Sequence, residues 1–370
     1  MKKFLSVLFA ITFLVVVVAC GNDDDNGSTD DNGDDTPEVR VALITHSPDS
    51  IIDDGSFNEG TWNGIRRFFE EQGLDPDEYA DFFIPHTASD EARLEIFEQA
   101  IDAGFDVLVL PGFHHNNALY MAQDYFPDTT FIIIDATPTN LDGEVRIEDN
   151  VVAVHHSEEE AGFLAGYAAV REGYRDLGFM GGIPIPNILA FGYGYILGAE
   201  HAAQYLELEA GEVTVNYSYL NQFSPDPTIT TAAAAWFADG VEVIFAAAGG
   251  AGASVMAAAE NAEAAVIGVD DDQYHISDSV VFSALKRVDV SVHTMLTDFI
   301  NDAFRGGQII RLDATYNGVG LALENARLEN FTQADFDAIF EAIQNGDVVV
   351  DVDLDPDTFP ATELVTVNER

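Results

Sequence analysis

Positive charge is scarce in this chain of 370 residues. Fifteen Lys and Arg face 65 Asp and Glu, giving a formal net charge of −50, and there is one cysteine. Only three of the cations are lysines: Lys2, Lys3 and Lys286. A polyanion without a basic patch cannot displace counterions from phosphates, so no nucleic acid partner is expected. Nor can such a chain dock on anionic lipid through charge. One cysteine makes neither an intrachain disulfide nor a cysteine-based zinc site. Disorder is excluded as well, because 47% of residues are hydrophobic and 11% aromatic. The length suits two domains of roughly 150 residues.

What is present at the N-terminus reads as an address. Residues 1–20 are MKKFLSVLFAITFLVVVVAC: two lysines, then an apolar run from Phe4 to Ala19 broken only by Ser6 and Thr12. The run falls short of the ~20 apolar residues of a retained span and fits a secretory signal over residues 1–19. It ends in Val17-Val18-Ala19-Cys20, which resembles a bacterial lipobox. In that pattern the cysteine is lipidated and becomes the first residue, so no free thiol is left. Residues 21–38, GNDDDNGSTDDNGDDTPE, carry eight carboxylates and no apolar side chain except Pro37. Self-repulsion and Gly/Asn/Ser content make 20–38 an extended tether. The expected location is the cell membrane, lipid-anchored, with the body facing the outside or the periplasm.

From residue 39 the chain alternates apolar strands with amphipathic helices. Ten strands are expected, among them VRVALITH (39–46), DVLVLP (106–111), FIIIDAT (131–137), VVAVHH (151–156), VEVIFAAA (241–248), AVIGVD (265–270) and VVFSALK (280–286). Helical spacing joins Trp62, Ile65, Phe68 and Phe69, and again Leu94, Phe97, Ala100 and Ile101. Near-continuous apolar strands with helices between them imply parallel sheets covered on both faces. Ten strands exceed one comfortable open sheet, so the α/β fold expected is two doubly wound lobes. No Pro/Ser-rich linker occurs near 150–160 or 280–320, so crossovers join the lobes.

Doubly wound sheets bind ligands beyond the carboxyl ends of their strands. After the first strand comes Asp53-Asp54-Gly55-Ser56-Phe57-Asn58-Glu59-Gly60-Thr61-Trp62. Adjacent carboxylates on a loop are ordinarily just solvated, and Ser56 or Asn58 suits a helix cap. Together, though, an amide, a carboxylate and an indole at one helix N-terminus can bond and stack a heterocycle. Gly249, Gly250 and Gly252 follow another strand and allow an anion cradle or close approach of a neutral ligand. They lack the lysine of a triphosphate-binding loop. Gly192–Gly198 reads as close backbone packing. Asp270 ends a strand, where a carboxylate can accept from two vicinal sugar hydroxyls. Lys286, also at a strand end, would be a donor balancing Asp135 and Asp270. His114-His115 and His155-His156 are sequence neighbours; within a strand such neighbours point to opposite faces, so no metal site is expected. No nucleophile elbow or catalytic triad stands out, so neither enzymatic activity nor a cofactor is expected.

These residues resemble the basic membrane lipoprotein family, and within it the purine-nucleoside receptors. The resemblance lies in IDDGSFNEGTWNGI (52–65), FIIIDA (131–136), FLAGYAA (163–169), VEVIFAAAGGAG (241–252), VIGVDDDQY (266–274) and SALKRVDV (283–290). It implies a type I periplasmic-binding-protein fold with lobes 39–154 plus 287–316 and 155–286 plus 317–370. It also implies a substrate-binding component that serves an ABC permease, as a monomer. By position it puts a carboxylate at Asp53 or Asp54, an amide at Asn58 and aromatic stackers at Trp62 and Phe223. The glycine loop falls at Gly249, Gly250 and Gly252, the ribose carboxylate at Asp270 and the lysine at Lys286, with Asp135 facing the base edge. The ligand implied is guanosine, adenosine or inosine; so many carboxylates would repel a nucleotide phosphate. The sequence departs from the pattern at Pro225 and Pro227 and in the proline spacing of 181–198. A sugar or signalling-molecule receptor on the same fold, and a surface nucleosidase, are the competing readings.

Overall fold

In a computed structural model, residues 39–370 are described. The signal segment, Cys20 and the acidic tether lie outside them. Among the described residues no helix is long and apolar enough to cross a membrane.

The strands in chain order are β1 (Val41–Ile44), β2 (Ala80–Phe83), β3 (Val107–Pro111), β4 (Thr130–Ile134), β5 (Val151–His156), β6 (Asp176–Gly181), β7 (Val213–Tyr219), β8 (Val243–Phe245), β9 (Ala265–Asp270), β10 (Val280–Lys286), β11 (Gln308–Leu312), β12 (Val319–Ala322) and β13 (Val365–Glu369). They form a six-stranded sheet in the order β11-β5-β4-β3-β1-β2 and a seven-stranded sheet in the order β12-β10-β9-β8-β6-β7-β13. β12 runs antiparallel to β10; the other strand pairs are parallel.

The central strands are apolar throughout because both faces are covered. Val41 and Leu43 pack with Ile65, Phe68 and Phe69 of the helix Phe57–Glu71 and with Val292 and Met295 of the helix Val288–Ile300. Ala42 and Ile44, on the opposite face, pack with Phe97 and Leu119. The same alternation divides the second sheet between two further clusters, around Phe179, Tyr217 and Phe245 and around Trp236, Ile244 and Val255.

The chain leaves the first sheet after β5, returns to it after β10 and leaves again after β11. Two doubly wound lobes joined by strand-to-strand crossovers are therefore present, as the sequence predicts. The helices Glu158–Glu172 and Pro186–Tyr205 touch backbone to backbone. A Cβ on Gly162, Gly166, Gly194 or Gly198 would overlap the carbonyl oxygen of Phe191, Tyr195, Glu159 or Phe163, respectively. The prolines that break the family spacing have local reasons. Pro186 and Pro227 each open a helix, where a missing N–H costs nothing, and Asp226 caps the second by accepting from Thr228 N at 2.7 Å.

Candidate functional site

The strand ends of the two lobes face one cavity, with a volume of about 270 Å³. That is close to the lower end of the roughly 300–1,000 Å³ occupied by small-molecule sites. Asp54 and Asn58 reach it from the loop and helix after β1, Asp135 from the end of β4, and Phe223 from beyond β7. Gly249 and Gly250 follow β8, Asp270 ends β9 and Lys286 ends β10. The lining includes the aromatic rings of Phe57, Phe113, Phe191 and Phe223.

Lys286 organises the charged part. Its Nζ lies 2.5 Å from Asp135 Oδ2, 3.4 Å from Asp270 Oδ1 and 3.8 Å from Glu158 Oε1. The ammonium also sits 4.7 Å from the centre of the Phe57 ring and 5.6 Å from that of Phe191. Burial pushes the lysine down, but Asp135, Asp270 and Glu158 outweigh it and hold the ammonium charged. Burial likewise pushes Asp135 up, and Lys286 and His156 more than reverse that, keeping it a carboxylate. Glu158 is left as the weaker partner: burial, then repulsion from Asp135, raise it to about 8. Its Oε1 accepts from Asn187 Nδ2 at 2.7 Å, and Asn187 lines the cavity. His156 Nδ1 is 3.0 Å from the other oxygen of Asp135, and its Nε2 is 3.2 Å from Ser291 Oγ.

Asp135 and Asp270 occupy equivalent places at the ends of β4 and β9, and both have a left-handed backbone, with φ of 56° and 67°. That conformation is uncommon outside glycine and turns each carboxylate out of its strand. Ser56 Oγ donates to Asp270 Oδ2 at 2.6 Å, joining the two lobes. Beside it, Gln273 Nε2 donates to Gly55 O at 2.7 Å.

Asp54, rather than Ser56 or Asn58, caps the helix Phe57–Glu71. Its carboxylate accepts from the N–H groups of Ser56, Asn58 and Glu59 at 2.9, 3.1 and 3.1 Å. Burial nevertheless raises it to about 6, against the pull of those bonds. Asn58 Nδ2 donates to Ile51 O at 2.9 Å and so ties the loop to the helix.

Three expected residues lie elsewhere. Trp62 is outside the cavity: it packs against the first lobe's core, edge-on to Phe82 at 5.8 Å. It stands five residues beyond Phe57, which carries it around the helix to another face. The aromatic at the cavity from this helix is Phe57. Asp53 is exposed and off the lining; the carboxylate of the pair that reaches the cavity is the half-buried Asp54. Gly252 starts the helix Gly252–Ala262 and is off the lining; a Cβ there would meet Ala246.

Other residues of the site were not anticipated. Glu158 and Asn187 belong to the two glycine-packed helices. Gly182 makes room for Phe223, since a Cβ there would overlap the phenyl ring. No spacing signal in the sequence links these residues; only the packing does. Asp135, His156 and Glu158 also present donor atoms within 4.8 Å of one another, a spacing that suits a cation. The ammonium of Lys286 already supplies positive charge at that place, which disfavours a metal ion.

The fold and the sequence both have relatives. A solute-binding protein of an ABC transporter system from Aeropyrum pernix K1 superposes with a TM-score of 0.69 at 23% identity, covering 85% of this chain and 94% of its own. Another, from Conexibacter woesei, superposes with a TM-score of 0.66 at 20% identity, covering 85% and 98%. Among sequences, the ABC transporter nucleoside-binding protein BmpA of Lactococcus lactis subsp. cremoris is 27% identical over 89% of this chain and 94% of its own length. Basic membrane protein A of Borreliella burgdorferi is 27% identical over 86% and 88%. Residues 39–351 match the Bmp family, described as PnrA-like ABC transporter substrate-binding proteins, so the chain belongs to that family and is a substrate-binding protein, not an enzyme.

Proposed function

We propose that this chain is the lipid-anchored receptor of an ABC importer, capturing a purine nucleoside between its lobes and delivering it to the permease. In this reading residues 1–19 are removed, Cys20 carries the lipid and the tether to residue 38 spaces the body from the membrane. The lobes are 39–154 plus 287–316 and 155–286 plus 317–370, and they act as a monomer. Guanosine, adenosine and inosine are the ligands to try first. The likeness to the nucleoside-binding protein of Lactococcus lactis supports a nucleoside.

The observation that carries the proposal is a single buried lysine, caged by carboxylates, beside aromatic rings contributed by both lobes. Phe57 and Phe223 would stack the base, each contact contributing about 1–3 kcal/mol. Asp270 and Lys286 would take the ribose hydroxyls by charge-assisted bonds. The excess of carboxylates over cations in the cavity favours a neutral nucleoside over a nucleotide. Closure of the lobes about their crossovers would exclude water and present both lobes to the permease. The acid-rich body we read as an adaptation to salt.

The test is calorimetry with a panel of nucleosides, pentoses and hexoses, together with mass spectrometry of any ligand retained through mild purification. Heat with a purine nucleoside and none with free sugars is expected. Heat with a pentose or hexose alone would replace this reading with the sugar receptor. Conversion of nucleoside to free base would support the nucleosidase.

A further inference from the structure

His114 takes no part in the charged cluster around Lys286. It follows β3 and lines the cavity beside Phe113 and His46. Phe113 stacks on its ring with centroids 4.0 Å apart, and His46 stacks on it at 4.2 Å with only 12° between planes. Two rings at those separations cannot share one face, so both faces of the His114 imidazole are covered. A ligand cannot stack on it. What remains is the ring edge, which carries the two nitrogens.

The clamp is itself anchored. Ser50 Oγ lies 3.1 Å from His46 Nδ1, and His46 O accepts from the buried Arg93 Nε at 3.0 Å. Arg93 is in turn held by Asp90 Oδ1 at 2.9 Å and Ala88 O at 3.1 Å. Burial, then the charges of His46 and Arg93, push His114 down to about 4. At neutral pH it therefore offers one N–H donor and one bare nitrogen acceptor. The carboxylates of the cavity offer only acceptors, and Lys286 only donors. In the sheet, β3 lies between β4, which Asp135 follows directly, and β1, which His46 follows two residues on. The histidines thus extend the wall away from the charged cluster.

We infer that His114, clamped by Phe113 and His46, hydrogen-bonds edge to edge with the planar heterocycle of the ligand and discriminates between bases by their donor and acceptor pattern. The inference rests on the nucleoside reading of the site. The two ring nitrogens point apart, so one of them at a time meets the base edge and pairs with a single donor or acceptor there, such as a purine ring nitrogen or an exocyclic group.

Calorimetry on the full chain tests it, using adenosine, guanosine and inosine beside 1-deaza, 7-deaza and unsubstituted purine ribosides. His114→Phe keeps the stack and removes the nitrogens; His114→Asn keeps a donor and an acceptor. An unchanged melting temperature checks folding. The phenylalanine variant should bind natural nucleosides about 3- to 10-fold more weakly. The loss should vanish for the analogue that lacks the contacted edge atom, and asparagine should recover part of it. Equal affinities of wild type and His114→Phe across the panel would overturn the inference and leave the receptor reading standing. So would a uniform loss on every analogue, which marks a structural role. No heat from any nucleoside with the wild-type chain would overturn both.

Discussion

Lys286 is the point on which the buried charges balance. Three carboxylates lie within 3.8 Å of its ammonium, and the side chain is 6% exposed. Lys286→Met would strand Asp135 and Asp270 without a counter-charge, and breaking a buried pair in this way costs about 3–5 kcal/mol. The denaturant midpoint should fall accordingly, and nucleoside binding should be lost with it. Glu158 gives a pH signature. Its folded value of about 8 lies above the ordinary carboxyl value, so the folded state holds its proton more tightly. The stability this contributes is complete in acid and fades as pH rises through 8. Glu158→Gln, which keeps the acceptor for Asn187, should therefore gain stability over the wild type at pH 9 and not at pH 4, read as the difference in melting temperature. Phe223 depends on a residue with no side chain. Gly182→Ala should displace its ring and weaken nucleoside binding toward the level of Phe223→Ala, about 5- to 100-fold below wild type.

Among elements, the glycine-packed helices Glu158–Glu172 and Pro186–Tyr205 hold Glu158, Asn187 and Phe191 in one rigid frame. Gly162→Leu or Gly198→Leu would force the backbones apart. The expected result is a lower melting temperature and weaker binding, although neither residue lies in the cavity. Sequence pattern reaches some of these elements and not others. Nine of the ten strands expected from apolar runs have at least one face buried; β2, at a sheet edge, is largely exposed. β11, β12 and β13 escaped notice; all three sit at sheet edges, as does β2, whose consecutive Phe82, Phe83 and Ile84 gave it an apolar run. β11 in particular is mostly exposed along its length, so its hydrophobic signal is thin. At the site, the residues immediately past a strand were legible, since topology alone says where strands point: Asp54, Asp135, Asp270 and Lys286 line the cavity. Trp62 shows the limit. Motif position put an aromatic on this helix near the ligand, but helix rotation gives that place to Phe57. Gly182 and Glu158 were illegible because their roles exist only through neighbours distant in sequence.

At the scale of the whole molecule, charge dominates. Without Lys2, Lys3 and the eight carboxylates of residues 21–38, the chain keeps −44. Salt at 1 M shortens the screening length to about 3 Å and suppresses self-repulsion at the surface. The melting temperature of the body should therefore rise between low and molar salt; a flat response would sink the adaptation to salt proposed above. The three crossings between lobes have a consequence of a different kind, for the order of assembly. β5 pairs with β11 in a register that joins Val152 to Gln308, and β7 pairs with β13 through Val213 and Val365. Neither sheet can gain its last strand until a segment made more than 150 residues later has arrived. Such distant pairings form slowly. A chain threaded through a membrane pore from its N-terminus would complete neither sheet until most of it had passed.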